Sequence, residues 1–225
     1  MKDFYTHKLI KDEVINTDEI INTFDELKTK SEYATNREHI YEVKSNEIIN
    51  HISFNNLMFK IKDLIQENFN VRNIIFQKLW LVETEHQHTD KSKLPYKLHF
   101  DKRRFFKGMI YLNDVTKNHG PIHFGKIRQN VKIDKLRRKL PKNYKDLNLN
   151  DIGEKDLLEK PKPLLGKKGD LILFDTNEPH HAGVILSNFT RKVLRFDFYH
   201  KSFDEETLFV KLKKYLKSTL HISSN

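Results

Sequence analysis

Cysteine is absent from the 225 residues, which excludes a disulfide framework, thiolate catalysis and sulfur ligation of a metal. Any metal centre must therefore be built from His, Asp and Glu. No stretch approaches the ~20 apolar residues that a membrane span needs. The opening run MKDFYTHKLIKDEVI has neither an apolar core segment nor a small-residue cleavage site, so a cytoplasmic protein is the expectation. Internal repeats and long low-complexity linkers are missing too. What is present is core material: 37% of residues are hydrophobic, among them 16 Phe and 8 Tyr. That argues against wholesale disorder and for a single domain over 1–225.

The formal net charge is +10, but it is unevenly spread. Between positions 126 and 168 there are 14 Lys and Arg against 6 Asp and Glu. The basic character thus reads as one feature on an ordinary domain. No basic–aromatic alternation or nucleic-acid motif accompanies it, so nucleic acid is not expected as a partner.

The first third reads as helical. Thr17 or Asp18 is placed to cap a helix with apolar residues at 20, 21, 24 and 27, near helical spacing. A second helix is expected over 47–68. Short β-rich runs follow at 74–82, 96–101, 105–112, 121–124, 170–174, 182–186 and 192–199. The turn Asn118-His119-Gly120-Pro121 divides two of them, and a C-terminal helix is expected over 204–216. Helices first, then many strands without helices between them, argue against a doubly wound sheet. A jelly roll braced by N-terminal helices fits better, with room for a small ligand between its sheets.

His99-Phe100-Asp101 closes one strand candidate. Alternation puts His99 and Asp101 on one face, where they can share a metal. His88-Thr89-Asp90 repeats the pattern but lies in the polar stretch EHQHTDKSK, so it reads as a chance copy. Iron(II) oxygenases use two His and one carboxylate and leave metal positions open. His180 and His181 both follow the strand DLILF and are both candidates for the second His. Arg191 opens the next strand, and a guanidinium inside a barrel requires an anion.

Residues 98–124, LHFDKRRFFKGMIYLNDVTKNHGPIHF, and 169–198, GDLILFDTNEPHHAGVILSNFTRKVLRFDF, together resemble the phytanoyl-CoA dioxygenase family of Fe(II)/2-oxoglutarate oxygenases. The resemblance implies a double-stranded β-helix (cupin-like jelly roll). It implies that the distal ligand is His180 rather than His181, from the spacing to Phe174 and Gly183. It implies His99, Asp101 and His180 as catalytic iron ligands and Arg191 as the clamp for 2-oxoglutarate. It also implies O2 as co-substrate, with succinate and carbon dioxide as co-products. Asp101 favours hydroxylation, since related halogenases lack this carboxylate. HFGKIRQN (123–130) departs from the family's usual segment after the turn, so the substrate does not carry over.

Other residues are weighed beside these. Lys97 shares a face with His99 and Gln77 lies on the preceding strand; both are candidate cosubstrate-binding residues. Trp80 is expected in the core, and Arg195 in an ion pair with Asp197. The segment 126–168 is expected to be a lid that recruits an acidic or carrier-bound small molecule, with short helices at LRRKL and KDLLEK and a stiff return at KPKP. The competing function is a non-catalytic jelly-roll module that grips an anionic partner.

Overall fold

The computed structural model describes residues 7–11, 16–30, 39–43, 51–89, 91–92, 94–101, 103–127, 133 and 157–200. The expected C-terminal helix and most of the basic segment, LRRKL included, fall outside these residues.

Among the described residues two helices come early. In α1 (Thr17–Lys30) the cap lies one residue before the expected positions: the Asn16 side chain accepts the Glu19 N–H at 3.2 Å, and its amide donates back to the Glu19 carboxylate at 3.3 Å. Asn16 thus caps the helix, with Asp18 and Glu19 also complementing its positive end. Helix α2 (Ile52–Phe69) ends on Asn70 in the left-handed conformation, whose N–H closes onto the carbonyls of Gln66 and Glu67. The helices bury Ile20, Phe24, Phe54, Leu57, Met58, Ile61 and Ile65. Ile52 and Phe59, expected among the apolar set, face outward.

Among the described residues there are nine strands: β1 (His7–Ile10), β2 (His39–Val43), β3 (Ile74–Glu85), β4 (Phe106–Tyr111), β5 (Ile122–Ile127), β6 (Leu157–Pro163), β7 (Leu171–Asp175), β8 (His180–Ala182) and β9 (Thr190–His200). They form a six-stranded antiparallel sheet in the order β1-β7-β4-β9-β3-β2 and a three-stranded sheet in the order β6-β5-β8. This is the jelly roll expected from the sequence. Helices α1 and α2 cover one face of the large sheet, and the small sheet faces the other.

Strand β9 displays the division most plainly. Leu194, Phe196 and Phe198 point to the helices, while Val193, Arg195 and Asp197 point between the sheets. Strand β7 does the same: Leu171 and Leu173 join the helix-side core, Ile172 and Phe174 the inner one. The period of 2 thus separates two apolar cores on opposite faces of one sheet. On β4, Gly108 is where α2 comes closest; a Cβ there would lie 2.4 Å from Ile61 Cγ2. Tyr111, fully buried, ties the sheets together by donating to the Leu164 carbonyl at 2.9 Å. Burial pushes its hydroxyl up to about 12, against the opposing charge of Arg191.

Three expected elements differ. The strand expected over 182–186 lies instead at His180–Ala182, with Ile185 making only an isolated bridge to His119. Residues 96–101 form no strand; a 3-10 turn over Leu94–Tyr96 leads into a single bridge between His99 and His180. KDLLEK is not helical where it is described, because Leu157–Pro163 pairs with β5. Its two prolines are tolerated because β6 is an edge strand, with one side needing no ladder donor.

Candidate metal centre and cosubstrate site

His99 and His180 lie far apart in the chain and are joined by reciprocal backbone hydrogen bonds: His99 N–H to the His180 carbonyl at 3.1 Å, and the reverse at 2.8 Å. Their rings are oriented alike. Nδ1 of His99 donates to the Lys97 carbonyl at 2.7 Å, and Nδ1 of His180 to the Glu178 carbonyl at 2.8 Å. A carbonyl can only accept, so Nδ1 holds the proton in each ring and Nε2 keeps its lone pair. Both Nε2 atoms face the same oxygen, Asp101 Oδ1, at 3.8 Å from His99 and 3.7 Å from His180.

One ligand atom from each of the three residues lies within 4.8 Å of the others. Adjacent ligands ~2.1 Å from a first-row metal sit about 3 Å apart, so the set needs only a small contraction to close on an ion. Among the described residues no other His, Asp and Glu group has this form.

The electrostatics suit a cation. Burial lowers the His180 imidazole to about 3, His99 adding to the effect and Asp101 opposing it. Burial also lowers His99, with Asp101 again opposing. Both rings are therefore neutral at physiological pH, the form that ligates. For Asp101, burial alone pushes the carboxyl up. The positive charge of Lys107 outweighs it, the neighbouring imidazoles of His180 and His99 acting in the same direction, and holds the acid below its ordinary range. Lys107 Nζ donates to Asp101 Oδ2, the oxygen turned away from the imidazoles.

The three residues open onto a cavity of about 500 Å³ between the sheets, also lined by Gln77, Lys78, Trp80, Arg103, Lys107 and Arg191. Arg191 is buried at the base of β9, where Nη1 donates to the Gly120 carbonyl. Gly120 has φ +65°, and a Cβ on it would lie 2.5 Å from the Gly183 carbonyl oxygen, so the turn admits only glycine. Arg191 Nε is buried without a hydrogen-bond partner, and so is Oγ1 of Thr84, the residue registered opposite Arg191 on β3. Two orphaned polar atoms from one cross-strand pair fit a carboxylate, which would satisfy both.

The remaining candidates divide. Gln77 lines the cavity beside the irregularity between Phe76 and Lys78. Lys97 meets the site through its carbonyl, and its side chain is not among the cavity's lining. His181 turns away from the metal group and stacks on His123, with ring centroids 4.5 Å apart. His88 lies in a short 3-10 turn, and Asp90 is outside the described residues. Trp80, expected in the core, packs half-buried against the inner apolar cluster, lines the cavity and donates to Asp197 Oδ2 at 2.8 Å. Arg195 makes the expected pair with Asp197, at 3.0 Å and 3.2 Å. Lys107 and Thr84 escape sequence reasoning. A Lys in FKGMIY reads as a surface residue, and only the strand register brings Thr84 opposite Arg191.

A family model described as "Phytanoyl-CoA dioxygenase (PhyH)" matches residues 10–193. No curated protein matches in sequence. Among solved structures, HygX from Streptomyces hygroscopicus, with nickel and 2-oxoglutarate bound, is 12% identical with a TM-score of 0.58, over 87% of this chain and 83% of that one. The carbocyclase SnoK from nogalamycin biosynthesis is 13% identical with a TM-score of 0.60, over 87% and 79%. The epimerase SnoN from the same biosynthesis is 11% identical with a TM-score of 0.56, over 87% and 78%. These likenesses are of fold.

Proposed function

The chain belongs to the phytanoyl-CoA dioxygenase family, and from that premise we propose that it is a hydroxylase whose iron is held by His99, Asp101 and His180 and whose 2-oxoglutarate is anchored by Arg191. Enzymes of this family work with Fe(II), 2-oxoglutarate and O2. When bound, iron and 2-oxoglutarate supply the oxidative chemistry: one oxygen atom ends in succinate as carbon dioxide leaves, and the other oxidises the substrate. The residues do the rest. Lys97 and Glu178 hold the two imidazoles in the ligating tautomer through their carbonyls. Asp101 contributes the anionic ligand, and its presence favours hydroxylation. Arg191, with Thr84 beside it, receives the far carboxylate of the cosubstrate. The buried cavity walls, Phe174 and Met109 among them, keep water from the centre.

The observation that carries this reading is the meeting, in one cavity, of a convergent His-Asp-His group and a buried Arg with an orphaned Nε. A non-catalytic binder needs neither. The substrate class follows from the same cavity, where Lys78 and Arg195 lie over the aromatic face of Trp80 and Arg103 adds a further positive charge. We take it to be a small molecule bearing an acidic group. No helix among the described residues is long and apolar enough to cross a membrane.

The test is succinate release from 2-oxoglutarate under air with Fe(II) and ascorbate, with and without a panel of acidic metabolites. The parent should release succinate, faster with its substrate, and Asp101→Ala should release none while keeping the parent's circular dichroism. Equal release by Asp101→Ala would remove Asp101 from the centre.

A further inference from the structure

Lys107 is a buried cation whose partner is a candidate metal ligand. It lies on β4 between β7 and β9, registered against Phe174 and Asp197. Its side chain is 7% exposed, while that of Asp101 is 20% exposed. The cation is thus the more deeply buried of the pair, set in the wall of the cavity. Its ammonium lies 5.8 Å from the ring centroids of both Phe105 and Phe174.

A buried ion pair of this kind seldom stabilises a fold more than apolar side chains of similar size. The wall accepts such a side chain, since Met109, two residues on and facing the same way, is apolar and buried. A lysine at 107 therefore calls for a reason other than stability. The two oxygens of Asp101 have separate tasks: Oδ1 faces both imidazole Nε2 atoms, and Oδ2 receives Lys107.

We propose that Lys107 is a positioning residue that sets the charge of the metal centre: it keeps Asp101 Oδ2 from the metal, lowers affinity for the divalent ion and raises affinity for the anionic cosubstrate. The proposal rests on His99, Asp101 and His180 being the ligands. A divalent ion with one carboxylate carries a formal +1, since the imidazoles are neutral; Lys107 raises the local sum to +2. In a buried site, screened little by salt, that extra charge repels the metal and attracts a dicarboxylate. Arg191 alone would otherwise supply the attraction, from the far end of the cosubstrate. The prediction is a change of opposite sign in two affinities. Loss of packing or of fold would weaken both together.

The experiment compares the parent with Lys107→Met and with Lys107→Arg, which keeps the charge. Calorimetry with Mn(II) alone is followed by titration of 2-oxoglutarate into the Mn(II)-loaded proteins. For Lys107→Met, the Mn(II) Kd should fall about tenfold and the 2-oxoglutarate Kd should rise about tenfold. Lys107→Arg should stay within about threefold of the parent in both. Weakening of both affinities, or no change in either, overturns the proposal. Should Lys107→Met not fold, Lys107→Gln is measured with the same expectation. Asp101→Ala serves as the separate control. If it binds Mn(II) as the parent does, the ligand assignment has failed; if it loses Mn(II) and Lys107→Met shows no opposed change, only the role given to Lys107 has failed.

Discussion

Arg191 is held from one side only. Its Nη1 has the Gly120 carbonyl, its Nε has no partner, and Thr84 Oγ1 across the strand pair is also unsatisfied. A carboxylate entering there replaces two unmet hydrogen-bonding demands with charge-assisted bonds, worth roughly 1.5–3 kcal/mol each. Arg191→Ala should therefore raise the KM for 2-oxoglutarate at least about tenfold, while the Mn(II) Kd stays near the parent's, because Arg191 touches none of the three ligands. Steady-state kinetics with varied 2-oxoglutarate, beside metal titration, checks both halves; an unchanged KM would move the clamp elsewhere. At this scale the sequence is most legible where residue identity and spacing speak together. His99, Asp101 and His180 stand out because their types are scarce in apolar runs and their spacings recur in the family. Lys107 and Thr84 do not stand out, because their importance is a matter of which face and which partner the sheet register gives them.

Elements were legible in proportion to how much of their surface they bury. Strands β4, β7 and β9, buried on both faces, announce themselves as apolar or alternating runs. Strands β1 and β2 do not: they are the outer strands of the large sheet, the first reads HKLI with mostly half-buried side chains, and the second HIYEV is five residues long. Residues 96–101 mislead in another way. Their pattern looks extended, but only His99 finds a bridge partner, so the neighbourhood of His99 and Asp101 survives while the strand does not. Packing between elements gives a sharper test at Gly108. A methyl group there collides with buried, β-branched Ile61. Gly108→Ala should cost about 1–3 kcal/mol through overpacking. In an Ile61→Ala background the added cost should be smaller, because the methyl then enters vacated space. Urea midpoints for the four proteins close that cycle; simple additivity would mean that α2 is not in contact with the sheet at Gly108.

The whole molecule carries a net charge of +10, concentrated in the sequence between 126 and 168. An acidic substrate approaching such a chain is steered over distances that salt shortens, the screening length being about 8 Å at physiological ionic strength. For the true substrate, kcat/KM should fall steeply as salt rises, while 2-oxoglutarate turnover without substrate changes little. Replacing Arg137, Arg138 and Lys139 together with Ser should flatten that dependence; stopped-flow or steady-state rates across a salt series decide it, and an unaltered slope would free the segment of any recruiting role. Fold class was legible at this scale because the sequence reads as helices followed by a series of strand candidates, even though β1 precedes α1 and β2 lies between the helices; the pairing of the sheets was not, since no local pattern records which strand lies beside which.

The reciprocal backbone bonds between His99 and His180 have a consequence for time rather than for affinity. Each amide is locked by the other residue's carbonyl, so neither can exchange its proton with solvent until the two chain segments part. A metal spanning the two imidazoles closes the same seam from the side-chain direction. In hydrogen–deuterium exchange the two amides should therefore open as one unit in the metal-free protein and slow together when Mn(II) is added.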